Sequence, residues 1–324
     1  MANMTLSASL AEQEELSALV RRLRELGAQR LARKVVTVMS AKGGIGKTFV
    51  AMELAWLLDA VLVDLDWDDG NASTALGQHH DRFARIPLLD ALETEKPPRP
   101  KRSGRRPDLV PCHPDFAVNQ PDPERLAKLL SRWSQDWNRG VVADTHPGGS
   151  DSTLGAVGAA DLIVMPVVLG TRELNALEGA LRELVGYPIL LVPNWIPSTP
   201  PAAERRRLRE LADRYSVAVG PMISTYGWLR TRKLRTVLAA APTYSRRTMP
   251  VVRELAAGVQ RSIVFSRTRA FAEDLATGLE AAGVAAASLH GDLNQAKRNR
   301  SLAALARGEV RALVATDVAA RGIH

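Results

Sequence analysis

The stretch that most constrains the fold is SAKGGIGKT, residues 40–48. It follows the apolar run VVTVM and precedes TFVAMELAWLLDA, so the patterns predict a buried strand, a glycine-rich loop and then a helix. Glycines let a backbone curl so that successive N–H groups point at phosphate oxygens, and a helix start adds partial positive charge. We therefore predict a phosphate-binding loop here. The alternative is a glycine-rich turn with no ligand.

The pattern of the following chain predicts a parallel sheet. Short β-rich apolar runs alternate with helical patterns such as TRELNALEGALREL, which indicates βαβ units and a doubly wound α/β fold. Residues 95–108 interrupt this pattern with proline and positive charge, and we expect an exposed loop. Leucines at helical spacing, with Ser9 and Glu12 as a capping box, predict an amphipathic helix over 9–33. The predicted strands are 35–40, 61–65, 141–144, 162–168 and 189–193.

Composition excludes some classes of protein. The single cysteine, Cys112, excludes an internal disulfide or a multi-cysteine metal site and fits a cytoplasmic protein. No apolar run approaches the roughly 20 residues that a membrane-spanning helix needs, and we expect no membrane association. A formal charge of +8 is compatible with a polyanionic partner but does not establish one.

The spacing of the loop departs from the usual Walker A pattern. Five residues before Gly46 stands Ala41 rather than glycine, and Lys42 opens the run KGGIGKT. With this motif, residues 33–258 resemble the ParA partition proteins of the ParA/MinD group, whose deviant Walker A motif carries this early lysine. The resemblance implies that Lys42 reaches across a homodimer to the partner's ATP; the alternative is a surface lysine without that role.

The resemblance also implies roles for the rest of the loop and for the motifs that follow it. Lys47 would face the β- and γ-phosphates, and Thr48 would ligate Mg²⁺. In VLVDLDWDDGNAS, Asp66 would activate the attacking water and Asp64 would lie near the metal, although the loop is one residue longer than is usual for the family. The implied catalytic residues are Lys42, Lys47 and Asp66; the nucleotide-binding residues are Lys42, Gly43, Gly44, Ile45, Gly46, Lys47, Thr48, Phe49 and Asn194.

Two later segments extend the site. VVADTHPG resembles a Walker B segment in which Asp144 would hold Mg²⁺ through water, against the alternative of an aspartate that caps the next turn. In LLVPNWIP, Asn194 matches the strand-end position that reads adenine in the family, and a turn asparagine is the competing interpretation. The implied metal-binding residues are Thr48, Asp64 and Asp144.

A basic segment, 227–255, occupies the place where the family binds DNA without sequence preference. Contacts of this kind neutralise phosphates and are sensitive to salt. A solvated helix face is the competing interpretation. The candidate DNA-binding residues are Arg230, Arg232, Lys233, Arg235, Arg246 and Arg247.

The last residues belong to a different pattern. IVFSRTR, LHGDLNQAKR and VATDVAARGI, within 262–324, resemble the second RecA-like domain of DEAD-box RNA helicases. The first helicase lobe is absent, and one lobe cannot complete an ATP site that lies between two. We therefore expect a small α/β extension of three strands and two helices without helicase activity.

These observations predict three regions: an N-terminal helix (1–33), a ParA-like ATPase domain (34–259) and a partial helicase-like fragment (260–324). The resemblance implies a nucleoid-associated DNA partition ATPase that uses ATP and Mg²⁺, forms an ATP-sandwich dimer and is released from DNA by a ParB-like or adaptor protein. The alternatives are a ParA-like ATPase that positions a protein cargo, and an RNA-helicase-related nucleic-acid-binding protein.

Overall fold

The computed structural model describes two compact units, Met1–Leu255 and Ala256–His324. The described residues are 2–68, 71–82, 87–102, 104–230 and 236–256 in the first unit and at its boundary. In the C-terminal unit they are 262–266, 269–281, 285–290, 292–294, 296–297, 299–301, 304, 310 and 312–316. In the part of the chain that the structure describes, no helix combines the length and the apolar character needed to cross a bilayer.

The first unit is built on a seven-stranded sheet in which each pair of neighbouring strands is parallel. The strand order is β3-β2-β4-β1-β5-β6-β7: β2 and β3 lie on one side of β1 with β4 inserted between β2 and β1, and β5 to β7 extend the sheet on the other side. This is the doubly wound α/β fold that the alternating pattern predicts. The strands are β1 (Val35–Val38), β2 (Val61–Leu65), β3 (Leu109–Val110), β4 (Val141–Thr145), β5 (Leu162–Val167), β6 (Ile189–Pro193) and β7 (Ala218–Val219).

Helices connect these strands as parallel pairing requires. The α-helices are α1 (Ala2–Arg30), α2 (Lys47–Leu57), α3 (Ala72–Ala75), α4 (Pro87–Thr94), α5 (Pro123–Trp137), α6 (Asp151–Ala159), α7 (Thr171–Glu183), α8 (Ala202–Tyr215), α9 (Gly227–Arg230) and α10 (Met249–Ala256). Short 3₁₀ turns lie at His80–Arg82 and Pro114–Ala117.

Two apolar clusters hold the helices to the sheet. One packs α4, α5 and α6 against β1, β2 and β4, and Trp133 and Phe116 are completely buried in it. The other packs α7 and α8 against β5 and β6. Burial of one large apolar side chain contributes roughly 1.5–3 kcal/mol, so these clusters fix the strand ends from which the candidate site is built.

The N-terminal helix packs on the first unit. Leu16, Val20 and Leu23 are buried, and Gly27 lies so close to Leu58 that an added Cβ would be 2.2 Å from the Leu58 carbonyl oxygen. The prediction of a helix start at Ser9 is wrong, because α1 begins at Ala2. Residues 2–8 contain neither proline nor glycine, so nothing in this stretch interrupts helical hydrogen bonding.

The C-terminal unit contains a parallel three-stranded sheet in the order β8-β10-β9. Its described elements are β8 (Ser262–Ser266), α11 (Arg269–Ala281), β9 (Ala286–Leu289) and β10 (Ala312–Thr316). Ala272 and Ala276 of α11 pack against the buried strand residues Ala286 and Val314. The three strands expected from the sequence are therefore present.

Candidate nucleotide-binding site

The loop between β1 and α2 has the backbone that the glycine pattern predicts. Gly44 and Gly46 adopt φ values of 76° and 90°, in the left-handed region where glycine carries no steric penalty. Gly46 is also tightly packed, because an added Cβ would lie 2.4 Å from Asn194 Nδ2. Helix α2 begins at Lys47, directly after the loop, so its free N–H groups open onto the loop. The arrangement is suited to binding phosphate.

Asn194 fixes the loop from the end of β6. Its side chain is completely buried, and Nδ2 donates a 2.8 Å hydrogen bond to the Ile45 carbonyl. Among the groups that the structure describes, Asn194 Oδ1 has no hydrogen-bond partner. The structure therefore brings Asn194 to the phosphate loop, while contact with adenine stays a prediction.

Lys47 lies between two carboxylates at the carboxyl ends of neighbouring strands. Its Nζ is 2.9 Å from Asp144 Oδ1 and 3.4 Å from Asp66 Oδ2, and its side chain is 6% exposed. Burial alone would lower the pKa of Lys47, but the charges of Asp144 and Asp66 together raise it. Lys47 is therefore a fixed positive charge inside the site.

Asp64 and Asp144 face each other across the β2–β4 register. Asp64 Oδ2 accepts hydrogen bonds from the backbone N and the hydroxyl of Ser73, at 2.7 and 2.5 Å. Its Oδ1 accepts a hydrogen bond from the Asp66 backbone N at 3.1 Å. Burial and the neighbouring Asp144 raise the pKa of Asp64 to about 8. A cation bound here would offset the repulsion between the two carboxylates and favour the charged form of Asp64.

The residues expected to hold Mg²⁺ fit a divalent cation. Within the described structure, the completely buried Asp144 Oδ2 has no hydrogen-bond partner. Thr48 is buried one residue beyond Lys47, on the first turn of α2. A carboxylate oxygen and a hydroxyl are ligands of the hard type that Mg²⁺ prefers. Phe49 follows on the same turn and is half-buried.

Lys42 points away from this cluster. Its Nζ is 2.8 Å from Glu173 Oε1, near the start of α7, and both side chains are partly exposed. The Lys42 hydrogen bond is the main cause that lowers the pKa of Glu173. Glu173 was not among the predicted site residues, because it lies 131 positions from Lys42 and no local pattern connects the two.

A second group that the sequence analysis missed surrounds Asp66. The Trp67 ring stacks on the His146 ring with centroids 4.1 Å apart, and His146 Nε2 lies 3.1 Å from Asp68 Oδ2. The Asp68 backbone N donates to Asp66 Oδ1 at 3.3 Å. Trp67 and Asp68 therefore contact the turn after β4. His146 lies two residues after Asp144, and this short spacing is the sequence signal that could have placed it at the site.

The candidate DNA-binding residues are only partly described. Arg246 and Arg247 are exposed, and the Arg247 guanidinium lies 4.6 Å from the centroid of the Trp228 ring. Arg232, Lys233 and Arg235, and the side chain of Arg230, lie outside the described residues. DNA contact through this segment stays a prediction.

Solved structures with the same fold include ATPases of the ParA/MinD type. Apo McdA from Cyanothece superposes with a TM-score of 0.57 at 18% identity, covering 69% of this chain and 97% of McdA. The cell division ATPase MinD of Pyrococcus furiosus gives 0.53 at 21% identity, covering 70% and 98%. A plasmid partition protein from Borrelia burgdorferi gives 0.51 at 15%, covering 69% and 96%. At these identities the likeness establishes the fold of the first unit.

The C-terminal segment is similar to helicases by sequence. The helicase conserved C-terminal domain family matches residues 248–324. ATP-dependent RNA helicase DeaD of Mycobacterium tuberculosis is 51% identical over 61 residues, and CshA of Bacillus subtilis is 50% identical over 62 residues. Each match covers 19% of this chain but only 11% of DeaD and 13% of CshA. The helicase-like resemblance is confirmed, and it concerns a small part of a helicase.

Proposed function

We propose that this chain is an ATPase of the ParA type that partitions DNA. The observation that carries the proposal is the position of Lys47, which starts a helix after a left-handed glycine loop and faces Asp66 and Asp144. In the structure, both carboxylates form ion pairs with Lys47. The γ-phosphate of ATP would compete for the same ammonium group and leave Asp66 free to act on water.

Asp66 is the proposed general base. Burial raises the pKa of its carboxyl group, and Lys47 acts in the opposite direction. When Lys47 pairs with phosphate instead, Asp66 loses part of that lowering influence and becomes a better proton acceptor. Mg²⁺, when bound by Thr48 and Asp144 with Asp64 nearby, would supply charge neutralisation at the phosphates.

Dimerisation is the proposed second step of the cycle. Lys42 is partly exposed and bound to Glu173 of its own chain, so it is available to exchange that partner for a nucleotide on a second subunit. The ATP-bound homodimer would hold nucleoid DNA through residues 230–247. A ParB-like or adaptor protein would stimulate hydrolysis and release the DNA.

ATP-dependent DNA binding by the full-length chain tests this function. We expect more co-sedimentation with non-specific duplex DNA in ATP than in ADP, and loss of that ATP-dependent gain in Lys42→Ala. Lys34→Ala is the matched control, because Lys34 is also a partly exposed lysine with one acidic partner, Asp161. ATP turnover without any nucleotide-dependent DNA binding would favour the alternative in which the ATPase positions a protein cargo.

A second candidate rests on the C-terminal match. The 51% identity to DeaD over 61 residues favours an RNA-remodelling role for that unit, although the match covers only 11% of DeaD. An unwinding assay on an RNA duplex tests it. ATP-dependent strand separation by this chain would replace the partition function with an RNA-remodelling function.

A further inference from the structure

A basic loop lies at the opposite edge of the sheet from the nucleotide site. Residues 96–106 carry six cations and no acidic residue. Most of these side chains are exposed, and Lys101 is half-buried. A run of charge alone often forms a solvated surface, so the structural setting of the loop decides what it does. The six cations are Lys96, Arg99, Lys101, Arg102, Arg105 and Arg106.

The turn between Lys101 and Leu109 is anchored at both sides. These two residues pair through two backbone hydrogen bonds, at 2.7 and 3.1 Å. The Arg106 guanidinium donates to the Leu76 carbonyl at 2.5 Å, and Lys101 Nζ donates to Gln78 Oε1 at 3.1 Å. Because the turn is fixed at both sides, less conformational entropy is lost when its exposed arginines bind a ligand.

The loop borders an open cleft of about 440 Å³ with a surplus of positive charge. Asp108 accepts from Arg139 at 2.5 Å, and Asp59 forms an ion pair with Arg24. The charged residues that line the cleft are Arg24, Asp59, Arg102, Arg106, Asp108 and Arg139, four arginines against two aspartates.

Within the described structure, two of the cleft arginines have no carboxylate oxygen closer than 4.0 Å. Arg106 is bound to a carbonyl, which carries no net charge. The Arg102 side chain is 87% exposed and lies 4.0 Å from Asp108, whose carboxylate already accepts from Arg139. Exposed guanidinium groups with spare donors match phosphate oxygens in charge and in geometry.

The cleft and the candidate nucleotide site lie at different edges of the sheet. Asp59, Asp108 and Arg139 each lie just before a strand of the parallel sheet, whereas Asp66 and Asn194 directly follow strands and Asp144 is the penultimate residue of β4. Parallel strands place these two sets at opposite edges. We propose that the 96–106 loop and its cleft bind the phosphodiester backbone of nucleic acid, without sequence preference and without ATP. This surface is additional to residues 230–247.

The test uses the full-length chain without nucleotide. Replacement of Arg99, Arg102 and Arg105 by alanine should lower the affinity for a fluorescent 30-base-pair duplex about tenfold or more at low salt. It should also lower the slope of log K against log salt by about 3, since each lost phosphate contact removes about 0.9. The same measurement with single-stranded RNA of equal length distinguishes the two sources of phosphodiester.

A matched variant controls for net charge. Arg205, Arg206 and Arg209 are exposed arginines on α8, and their replacement by alanine should leave nucleotide-free binding unchanged. Lysine at positions 99, 102 and 105 should retain most of the affinity, which excludes misfolding as the cause of any loss. Equal loss in the α8 variant, or no loss in the loop variant, overturns the proposal. Loss of binding to phosphatidylserine vesicles with unchanged nucleic-acid binding also overturns it.

The outcome is distinct from a failure of the proposed partition function. The loop variant should keep its ATP turnover and its ATP-dependent gain in DNA binding, because neither depends on residues 96–106. Loss of nucleotide-free binding in a chain that proves to have no ATPase activity would still support the loop surface.

Discussion

The two units of this chain resemble known proteins in opposite ways. The first superposes on ATPases of the ParA/MinD type over almost their whole length at about 20% identity, and the second matches helicases at about 50% identity over a tenth of their length. In the first unit, the start of α2 and the ends of β2 and β4 bring Lys47, Asp66 and Asp144 together. In the second, Nε2 of the motif residue His290 lies 3.0 Å from Glu273 Oε1 of the same unit. High identity thus shows which family a segment resembles. The chemistry of a site depends instead on whether all the elements that form it are present.

Replacement of Lys47 should have the largest effect, and it tests which of the two units binds ATP. Lys47→Ala should abolish ATP binding, because the charge that faces the β- and γ-phosphates is lost. If ATP binding belongs to the first unit, no residual site should appear in the second. Binding of labelled ATP by equilibrium dialysis measures the effect, and undiminished binding would contradict the phosphate-loop assignment.

This variant needs a stability control. Without Lys47, the buried carboxylates of Asp66 and Asp144 lose their cation, which costs about 3–5 kcal/mol when one partner of a buried pair is removed. Thermal unfolding should therefore be measured beside ATP binding. Thr48→Ala keeps the lysine and its ion pairs, and it should weaken binding of Mg²⁺-ATP more than binding of ATP in EDTA.

The general-base prediction comes next in size. Asp66→Ala should lower ATP turnover on the order of 100-fold, the usual contribution of a positioned base, and should trap the ATP-bound dimer on DNA. Asp136, a surface residue on α5 paired with Arg132, provides the control substitution. Normal turnover in Asp66→Ala would transfer the role elsewhere, and Asp68 is then the first residue to replace.

The sequence predicted much of this architecture because its signals are local. The run 61–65 is buried along its whole length, and Gly44 and Gly46 adopt the left-handed conformations that only glycine tolerates well. The edge strands β3 and β7 have two residues each, too few for a hydrophobic pattern to register. The contacts of Lys42 with Glu173 and of Asp68 with His146 join residues 131 and 78 positions apart, and only the tertiary fold brings them together.

A smaller effect is expected from variants that test which of the two units binds DNA. A chain that ends near residue 260 should still bind DNA in ATP, with steep salt dependence, if residues 230–247 form the ATP-dependent surface. In the full-length chain, alanine at Arg230, Arg246 and Arg247 should remove the ATP-dependent part of binding while ATP turnover persists. If truncation removes that binding and the triple variant keeps it, the helicase-like unit, with Lys297 and Arg300 exposed, is the nucleic-acid module.

The smallest expected effect concerns the contact that holds Lys42 within its own chain. A partly exposed ion pair contributes about 0.2–1 kcal/mol, so Glu173→Gln should release Lys42 and strengthen ATP-dependent dimerisation by no more than about fivefold. Lys42→Ala should lose the dimer, and the double variant should behave like Lys42→Ala, because the effect of Glu173 acts through Lys42. Light scattering across an ATP titration measures all three proteins. Stronger dimerisation in the double variant would show that Glu173 acts on the interface by another route, and a stable Lys42→Ala dimer would leave Lys42 as a surface residue.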